Sequence, residues 1–524
     1  MIKNFTILAK SLFALALLGN AAGSLAQTQP GRSTHDISTQ DKKRLERFEK
    51  QFADLRTLLR IPGMSAVIIK DQKVLWAKGF GFADFENRIA ATPDTVYHLA
   101  SITKTFGATL IMRLVEQGKL NLDEPMSRYS NDFKDDSVKI KHLLSHTSNG
   151  TPGERFQYDG YRFAYLTAVI EKKFGKPFVE VIVETFFDPL GMSSSVPYHN
   201  IVVDADKWVS SLGKDHLDRY EKSLARLSQP YTLYGREIIH AHYPGKRLIG
   251  AGAGLLSTVL DMAKYDAALD RHVFLKKETQ EKAWTPFVSN SGKRLPYGLG
   301  WFAMDYQAIK LIWHYGHWGT GFSAIFLKVP EKNLSVVILA NSEALVDHQY
   351  QFEPTVDDIV NNVFACNFLR LFVFEDAQGR RLPDPRWTEG TREFSTEIAR
   401  LSKQSSGYTY GCERNSQTAL AKWIENRRKQ ARVAIQLDPK ALDAYVGQYE
   451  FEDYPNEFHT VSREGSRLFI NWPRDFKSEL FAESESKFFL KVRAFQLIFT
   501  KTEGQVTHME FRGSGQIVRF KRIK

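Results

Sequence analysis

The stretch Tyr97-His98-Leu99-Ala100-Ser101-Ile102-Thr103-Lys104-Thr105-Phe106 decides how the rest of this sequence is read. From about Ile102 to Gln117, Phe106, Leu110 and Leu114 recur at helical spacing, and Gly118 stands where a helix usually ends. Ser101 and Lys104, three residues apart at the start of that helix, share one face. A serine hydroxyl is a poor nucleophile until a neighbour takes its proton. A lysine partly buried beside positive helix-end amides has its charged form disfavoured, which suits it to that task. A serine at a helix start also leaves its backbone N–H available to an oxyanion. The spacing alone is weak, because Ser211–Lys214 and Ser484–Lys487 share it. Taken singly, Ser101 reads as a plain N-cap and Lys104 as a solvated first-turn residue.

Outward from this stretch, strand-like runs at Ser65–Ile69 and Val74–Gly79 flank an Asp71-Gln72-Lys73 turn. Further strand-like runs lie at Leu299–Met304, Phe322–Val329 and Leu334–Leu339, with helical stretches between. From about Leu345 to Lys440 the pattern is helical and charged. Beyond Leu442, Tyr445–Phe451, Thr460–Ser462, Leu468–Trp472, Phe488–Val492, Leu497–Thr500, Val506–Phe511 and Ile517–Arg522 read as short strands of a small barrel or sandwich. At the N-terminus, Lys3 and Lys10 precede the apolar run Ser11–Leu18, and Ser24 and Ala26 offer a cleavage site. That pattern predicts a secretory leader over 1–26 and a secreted or periplasmic protein. The organisation expected is the leader, a catalytic domain over 27–345, a helical linker region over 346–440 and a barrel over 441–524.

The chain has 524 residues and a formal net charge of +11, with 43% hydrophobic and 25% charged residues. This balance fits a folded chain rather than a disordered or multi-span membrane one. The densest basic cluster, Arg427-Arg428-Lys429 with Arg432, reads as a solvated helix face, so no nucleic-acid partner is expected. Two cysteines, Cys366 and Cys412, exclude a disulfide-dense scaffold and an all-cysteine zinc site; their spacing leaves pairing open. No His-Glu-x-x-His, Cys-x-x-Cys or phosphate-binding glycine loop occurs, so neither metal nor cofactor is implied.

The segment 97–106 resembles the nucleophile region of the serine β-lactamase/penicillin-binding-protein-like hydrolases. Gly118–Pro125, Lys141–Ser148, Asp188–Met192, Gly252–Thr258 and Leu339–Ser342 follow in the order of that family's landmarks. The resemblance spans roughly 60–345 and implies an α/β (α+β) fold of the DD-peptidase/β-lactamase kind. Such a fold has an antiparallel sheet flanked by helices, plus a helical subdomain. It implies Ser101 as nucleophile and Lys104 as base. Tyr158, in Gln157-Tyr158-Asp159-Gly160, matches the tyrosine of the family's Tyr-x-Asn motif, with an implied share in proton transfer. Gly316-His317-Trp318-Gly319-Thr320-Gly321 resembles the third motif in its His-x-Gly form. An edge strand bearing it would place the Thr320 N–H, beside Gly319, as the second oxyanion donor after that of Ser101. His317 would orient Tyr158 or a substrate carboxylate, with His314 its rival in the same run. His142 and His146 read as loop-fixing residues, and Trp313, Trp318 and Phe322 as pocket lining or core.

Two departures stand out. Gly160 replaces the family's asparagine, and the link between Ser148 and Pro152 is unusually short. Both argue against β-lactam turnover, and Gly160 with His317 favours the esterase or peptidase branch over a true β-lactamase. Tyr445-Val446-Gly447-Gln448-Tyr449 and the strands after it resemble the lipocalin-like domains appended to some of these enzymes. The expected function is exported hydrolysis of ester or amide bonds through an acyl-enzyme. The expected partner is a small-molecule or peptide substrate, cell-wall-derived among the options, with homo-oligomerisation another. The alternatives are a cell-wall ligand binder with slow or no turnover, and a scaffold assembled by the barrel.

Overall fold

The computed structural model describes residues 38–235, 237–241, 249–318, 321–347, 359–374, 411–430, 432–452, 458–472, 476–492, 495–513 and 516–524. The predicted leader, Gly319, Thr320 and much of 346–440 lie outside the described residues. In chain order the first strands are β1 (Gly63–Lys70), β2 (Lys73–Asp84), β3 (Ile89–Ala90), β4 (Tyr97–His98), β5 (Tyr231–Tyr234) and β6 (Glu237–His240). β7 (Leu256–Ser257), β8 (Phe302–Tyr306), β9 (Ile309–Trp318), β10 (Phe322–Val329) and β11 (Leu334–Ala340) follow.

The main sheet is antiparallel, in the order β3-β2-β1-β11-β10-β9-β8. The β1–β2 hairpin closes through Asp71 and Gln72, both at positive φ, as a two-residue hairpin turn requires. β10 and β11 are buried along their whole length, and β1 up to its last residue. Apolar side chains therefore serve both faces. Val67 and Ile69 join the cluster containing Phe106, Met262 and Tyr265, while the alternating Ala66 and Ile68 are buried outside that cluster, on the opposite face. The helix Val259–Asp270 packs on β1, β2 and β11. Phe52, from the helix Thr39–Leu58, meets Phe80 of β2 at 5.0 Å and Phe364 at 4.9 Å.

One charged side chain points into this layer. Lys328 of β10, 1% exposed, pairs with Asp266 and, at 2.9 Å, with Asp270 on the overlying helix. A buried ammonium is tolerable only when paired in this way, and the two carboxylates hold its proton on.

The C-terminal strands are β12 (Gly447–Phe451), β13 (Phe458–Glu464), β14 (Arg467–Trp472), β15 (Phe476–Ala482) and β16 (Lys487–Phe489). With β17 (Gln496–Thr502), β18 (Gln505–Gly513) and β19 (Gln516–Arg522) they form a closed barrel, β12 pairing with β19. β15 was not among the strands expected from sequence, since Phe476-Lys477-Ser478-Glu479 follows Pro473 and Asp475 and carries two charges in four residues. Tyr449, Phe488, Phe499, Met509 and Phe520 fill the interior, so this small barrel is packed rather than hollow. It meets the first part of the chain at the β5–β6 hairpin. There Tyr234 stacks on Phe489 at 5.3 Å, its hydroxyl accepts the Arg432 N–H at 2.6 Å, and Glu237 pairs with Lys491 at 2.7 Å.

Cys366 and Cys412 are disulfide-bonded, joining the helices Val363–Phe368 and Gly411–Gln430 across a sequence separation of 46. The sequence had left this pairing open. A cross-link over that span restricts the unfolded chain, and its removal costs ~2–4 kcal/mol. The double substitution Cys366→Ala/Cys412→Ala is therefore expected to lower the unfolding free energy in urea by about that amount. Unsubstituted protein in excess reductant should match it.

Candidate active site

β4 pairs with β7, and the chain then turns sharply: Leu99 donates its N–H to Leu255 O at 2.8 Å, and Ala100 adopts a left-handed φ of +46°. Ala100–Ile102 form one 3-10 turn, and the α-helix begins only at Thr103. Ile102 is the N-cap residue of that helix, and Ser101 stands inside the 3-10 turn just ahead of it rather than at the cap its sequence suggests. Its hydroxyl is left to Lys104, whose Nζ lies 2.9 Å from Ser101 Oγ and 2.7 Å from the Gly252 carbonyl. The Lys104 side chain is 1% exposed. Burial lowers its pKa to about 7, against an opposing pull from the Asp159 carboxylate. The solvated lysine that the bare motif allows is not what folds.

The second wall comes from residues 146–164. Lys104 Nζ lies 5.2 Å from the Tyr158 ring centroid and 5.5 Å from that of Phe163. The Tyr158 ring is held among His146 at 4.2 Å, Tyr315 at 5.9 Å and Phe302 at 6.1 Å. Asp159 caps the helix Gly160–Ala164: its Oδ1 accepts the Arg162 N–H at 2.9 Å and its Oδ2 accepts from Asn149 Nδ2 at 3.1 Å. A Cβ added at Gly160 would stand 3.5 Å from Lys104 Nζ. The family asparagine would therefore point its amide at this amine, and here that space is vacant of side chain.

Two histidines, His146 and His314, flank the lysine, and burial keeps both neutral. His146 accepts the Asp159 N–H on Nδ1 at 3.1 Å; burial, reinforced by Lys104, keeps it well below its ordinary pKa. The expectation that it fixes a loop fits this bond, yet its ring is also part of the Tyr158 cradle. His314 donates from Nδ1 to Tyr315 O at 2.7 Å and accepts the Tyr297 hydroxyl on Nε2 at 2.9 Å; burial lowers it to about 3. Both its nitrogens are occupied, which removes it as rival to His317. His98, buried beneath the turn, accepts the Ala100 N–H on Nδ1 at 2.9 Å. His142 lies apart, capping the helix Ile140–Leu144 through Lys139 N, as a loop-fixing residue.

The third wall is the end of β9. It is not an edge strand, as expected, because β8 lies beyond it. However, β8 stops opposite Trp313, so His314–Trp318 run on past it with that side open. Gly316 is the contact point: a Cβ there would stand 2.2 Å from Leu99 O, so only glycine lets the strand approach the Ser101 turn this closely. His317 is half-buried one residue on and pairs with Ser323. Gly319 and Thr320 follow outside the described residues. Trp313 stacks on Phe302 at 5.3 Å and Phe322 is fully buried, so both are core rather than pocket.

Ser101, Lys104 and Tyr158 therefore converge from separate segments, with β9 alongside. Sequence reasoning assigned no role to Asp159, His98 or the Gly252 carbonyl. Gly252 and His98 lay inside quoted landmarks, but only the folded chain brings them to Lys104 and Ala100.

Both parts of the chain are similar to known proteins. Residues 431–522 match a domain family of unknown function, DUF3471. Penicillin-binding protein 4* of Bacillus subtilis (strain 168) is 22% identical over 469 residues, which is 82% of this chain and 88% of its own length. The putative penicillin-binding protein PbpX of the same strain is 26% identical over 317 residues, 53% of this chain and 74% of its own. The octameric penicillin-binding protein homologue from Pyrococcus abyssi shares the fold with a TM-score of 0.51 and 21% identity, over 91% of this chain and 99% of that one. The Beta-lactamase family matches residues 47–355, the span that contains the whole main sheet and every segment meeting at Ser101, and this chain belongs to that family.

Proposed function

We propose that this chain is an exported serine hydrolase that cleaves ester or amide bonds through an acyl-enzyme on Ser101. The observation that carries the reading is the buried Lys104 amine 2.9 Å from Ser101 Oγ. A neutral amine accepts the hydroxyl proton as Oγ adds to the carbonyl carbon, while one of its own N–H groups stays on Gly252 O. The oxyanion is met by the Ser101 N–H and, in this reading, by that of Thr320 beside Gly319. Tyr158 protonates the leaving group, and His317 orients Tyr158 or a substrate carboxylate. Water then attacks the acyl carbonyl and gives its proton to the Tyr158 phenolate, while the protonated Lys104 returns its proton to Ser101 Oγ as the acyl C–O bond breaks.

Gly160 and His317 favour an esterase or peptidase over a β-lactamase, because the amide that would contact both lysine and substrate is missing. The relatives are named as penicillin-binding proteins, and the resemblance to that family implies cell-wall-derived peptides as one substrate class. Export rests on the leader-like N-terminus, with support from the disulfide, which belongs to oxidising compartments. The octameric relative makes solution mass worth measuring.

A fluorophosphonate and a fluorescent penicillin, applied side by side with p-nitrophenyl esters and D-aminoacyl anilides, test this reading. Ser101→Ala is expected to abolish labelling with little change in thermal unfolding; persistent labelling would remove Ser101 from its role. Stable labelling without turnover would identify a binder instead of an enzyme.

The pH dependence has a defined sign. Lys104 must be unprotonated to act, so kcat/KM is expected to rise with pH through a midpoint near 7. The Asp159 carboxylate raises the lysine pKa, so Asp159→Asn, which preserves the helix cap, is expected to move that midpoint to lower pH. An unmoved midpoint in a pH–rate profile would dissociate Asp159 from the base. Gly160→Asn places an amide beside Lys104 and is expected to speed acylation by penicillin, read by stopped-flow fluorescence.

A further inference from the structure

We infer that His98 is a positioning residue that locks the Ser101 turn to the end of β9, so that nucleophile and strand keep one spacing during acylation. The inference rests on the reading of Ser101 as nucleophile and assigns the support that reading lacks.

Ala100 is the residue that aims Ser101, and it is held at φ +46°, a conformation that a residue bearing a Cβ adopts only when its surroundings compel it. His98 supplies the compulsion, since its Nδ1 accepts the Ala100 N–H at 2.9 Å and so pins the peptide at which the chain reverses. The same ring lies 4.9 Å from Trp318 and 6.1 Å from Phe322, the residues that face each other where β9 and β10 end. One side chain, 3% exposed, therefore touches both the turn that carries Ser101 and the junction of β9 and β10. Gly316 closes the same seam from the other side through its approach to Leu99 O.

The bond to Ala100 exists only while Nδ1 is unprotonated. Burial, with a smaller contribution from neighbouring His199, lowers His98 to about 3, so the lock holds across the working range. Substituents of the right shape separate the two contacts. Asparagine presents an oxygen near the place of Nδ1 but loses the ring; phenylalanine keeps the ring and loses the acceptor.

The test measures fluorophosphonate labelling rates and steady-state p-nitrophenyl acetate hydrolysis for the full chain and its His98→Asn, His98→Phe and His98→Ala variants. Thermal unfolding is recorded beside them. His98→Phe is expected to lower the labelling rate and kcat by about 10–100-fold with KM nearly unchanged, because a shift of about 1 Å in the nucleophile costs that much. His98→Asn keeps the acceptor that sets the turn and loses the ring that reaches Trp318, so it is expected to lose about threefold to tenfold, less than His98→Phe. If His98→Phe does not fold, His98→Ala carries the same expected loss. A folded acceptor-less variant that labels at the unsubstituted rate overturns the inference, as does His98→Asn failing as badly as His98→Phe. Ser101→Ala separates the two claims. If it still labels, or the unsubstituted protein does not, the nucleophile reading falls and His98 with it. If only the His98 variants behave normally, the nucleophile stands and the lock does not.

Discussion

An ammonium group loses its charge cheaply only where water cannot reach it, and the arrangement around Ser101 depends on that fact. Lys104 is almost wholly enclosed, with one carbonyl and one hydroxyl as its hydrogen-bond partners and aromatic rings over the remainder. In water the same amine would hold its proton near pH 10.4 and be useless as a base at neutrality. Burial brings it to about 7, and the histidines around it remain neutral because they are buried too. The Asp159 carboxylate pulls the other way. The poise of the base is a difference between desolvation and one near charge.

Lys328 shows the opposite solution to the same problem. It is as thoroughly enclosed as Lys104, yet two aspartates keep it charged, and it ties the Val259–Asp270 helix to β10. Two buried lysines in one domain thus differ by their partners alone. One faces carboxylates and clamps the fold; the other faces a carbonyl and a hydroxyl and is free to exchange a proton. The rigid sheet that the first stabilises carries β9, whose glycine-mediated approach to Leu99 sets the width of the site.

The departures from the family pattern are local. Gly160 leaves open a space that an asparagine would fill, while Asp159 and Arg162 knit the shortened 146–152 segment to the helix behind it through Asn149 and Ser148. The wall is held together by these bonds and has no side chain at position 160. The C-terminal barrel has a packed aromatic interior and docks by Tyr234 and Glu237 on the β5–β6 hairpin, which makes it a neighbour of the catalytic fold rather than a second ligand cavity.

The sequence by itself determined the chemistry that two or three neighbouring residues define. Ser101 and Lys104, three residues apart, are close enough in sequence to meet, and a near-continuous apolar run such as Leu334–Leu339 marks a strand buried on both faces. Ordered landmarks also placed Tyr158 and the strand of His317 in the same domain. Only tertiary structure decided that Lys104 is buried, that its second partner is a carbonyl 148 residues away, and that Ser101 sits in a 3-10 turn after a left-handed Ala100 instead of capping a helix. It likewise decided that Cys366 meets Cys412 and that β8 stops short of His317. Desolvation and long-range backbone contacts belong to no window of sequence: the free energy of a charge depends on everything folded around it.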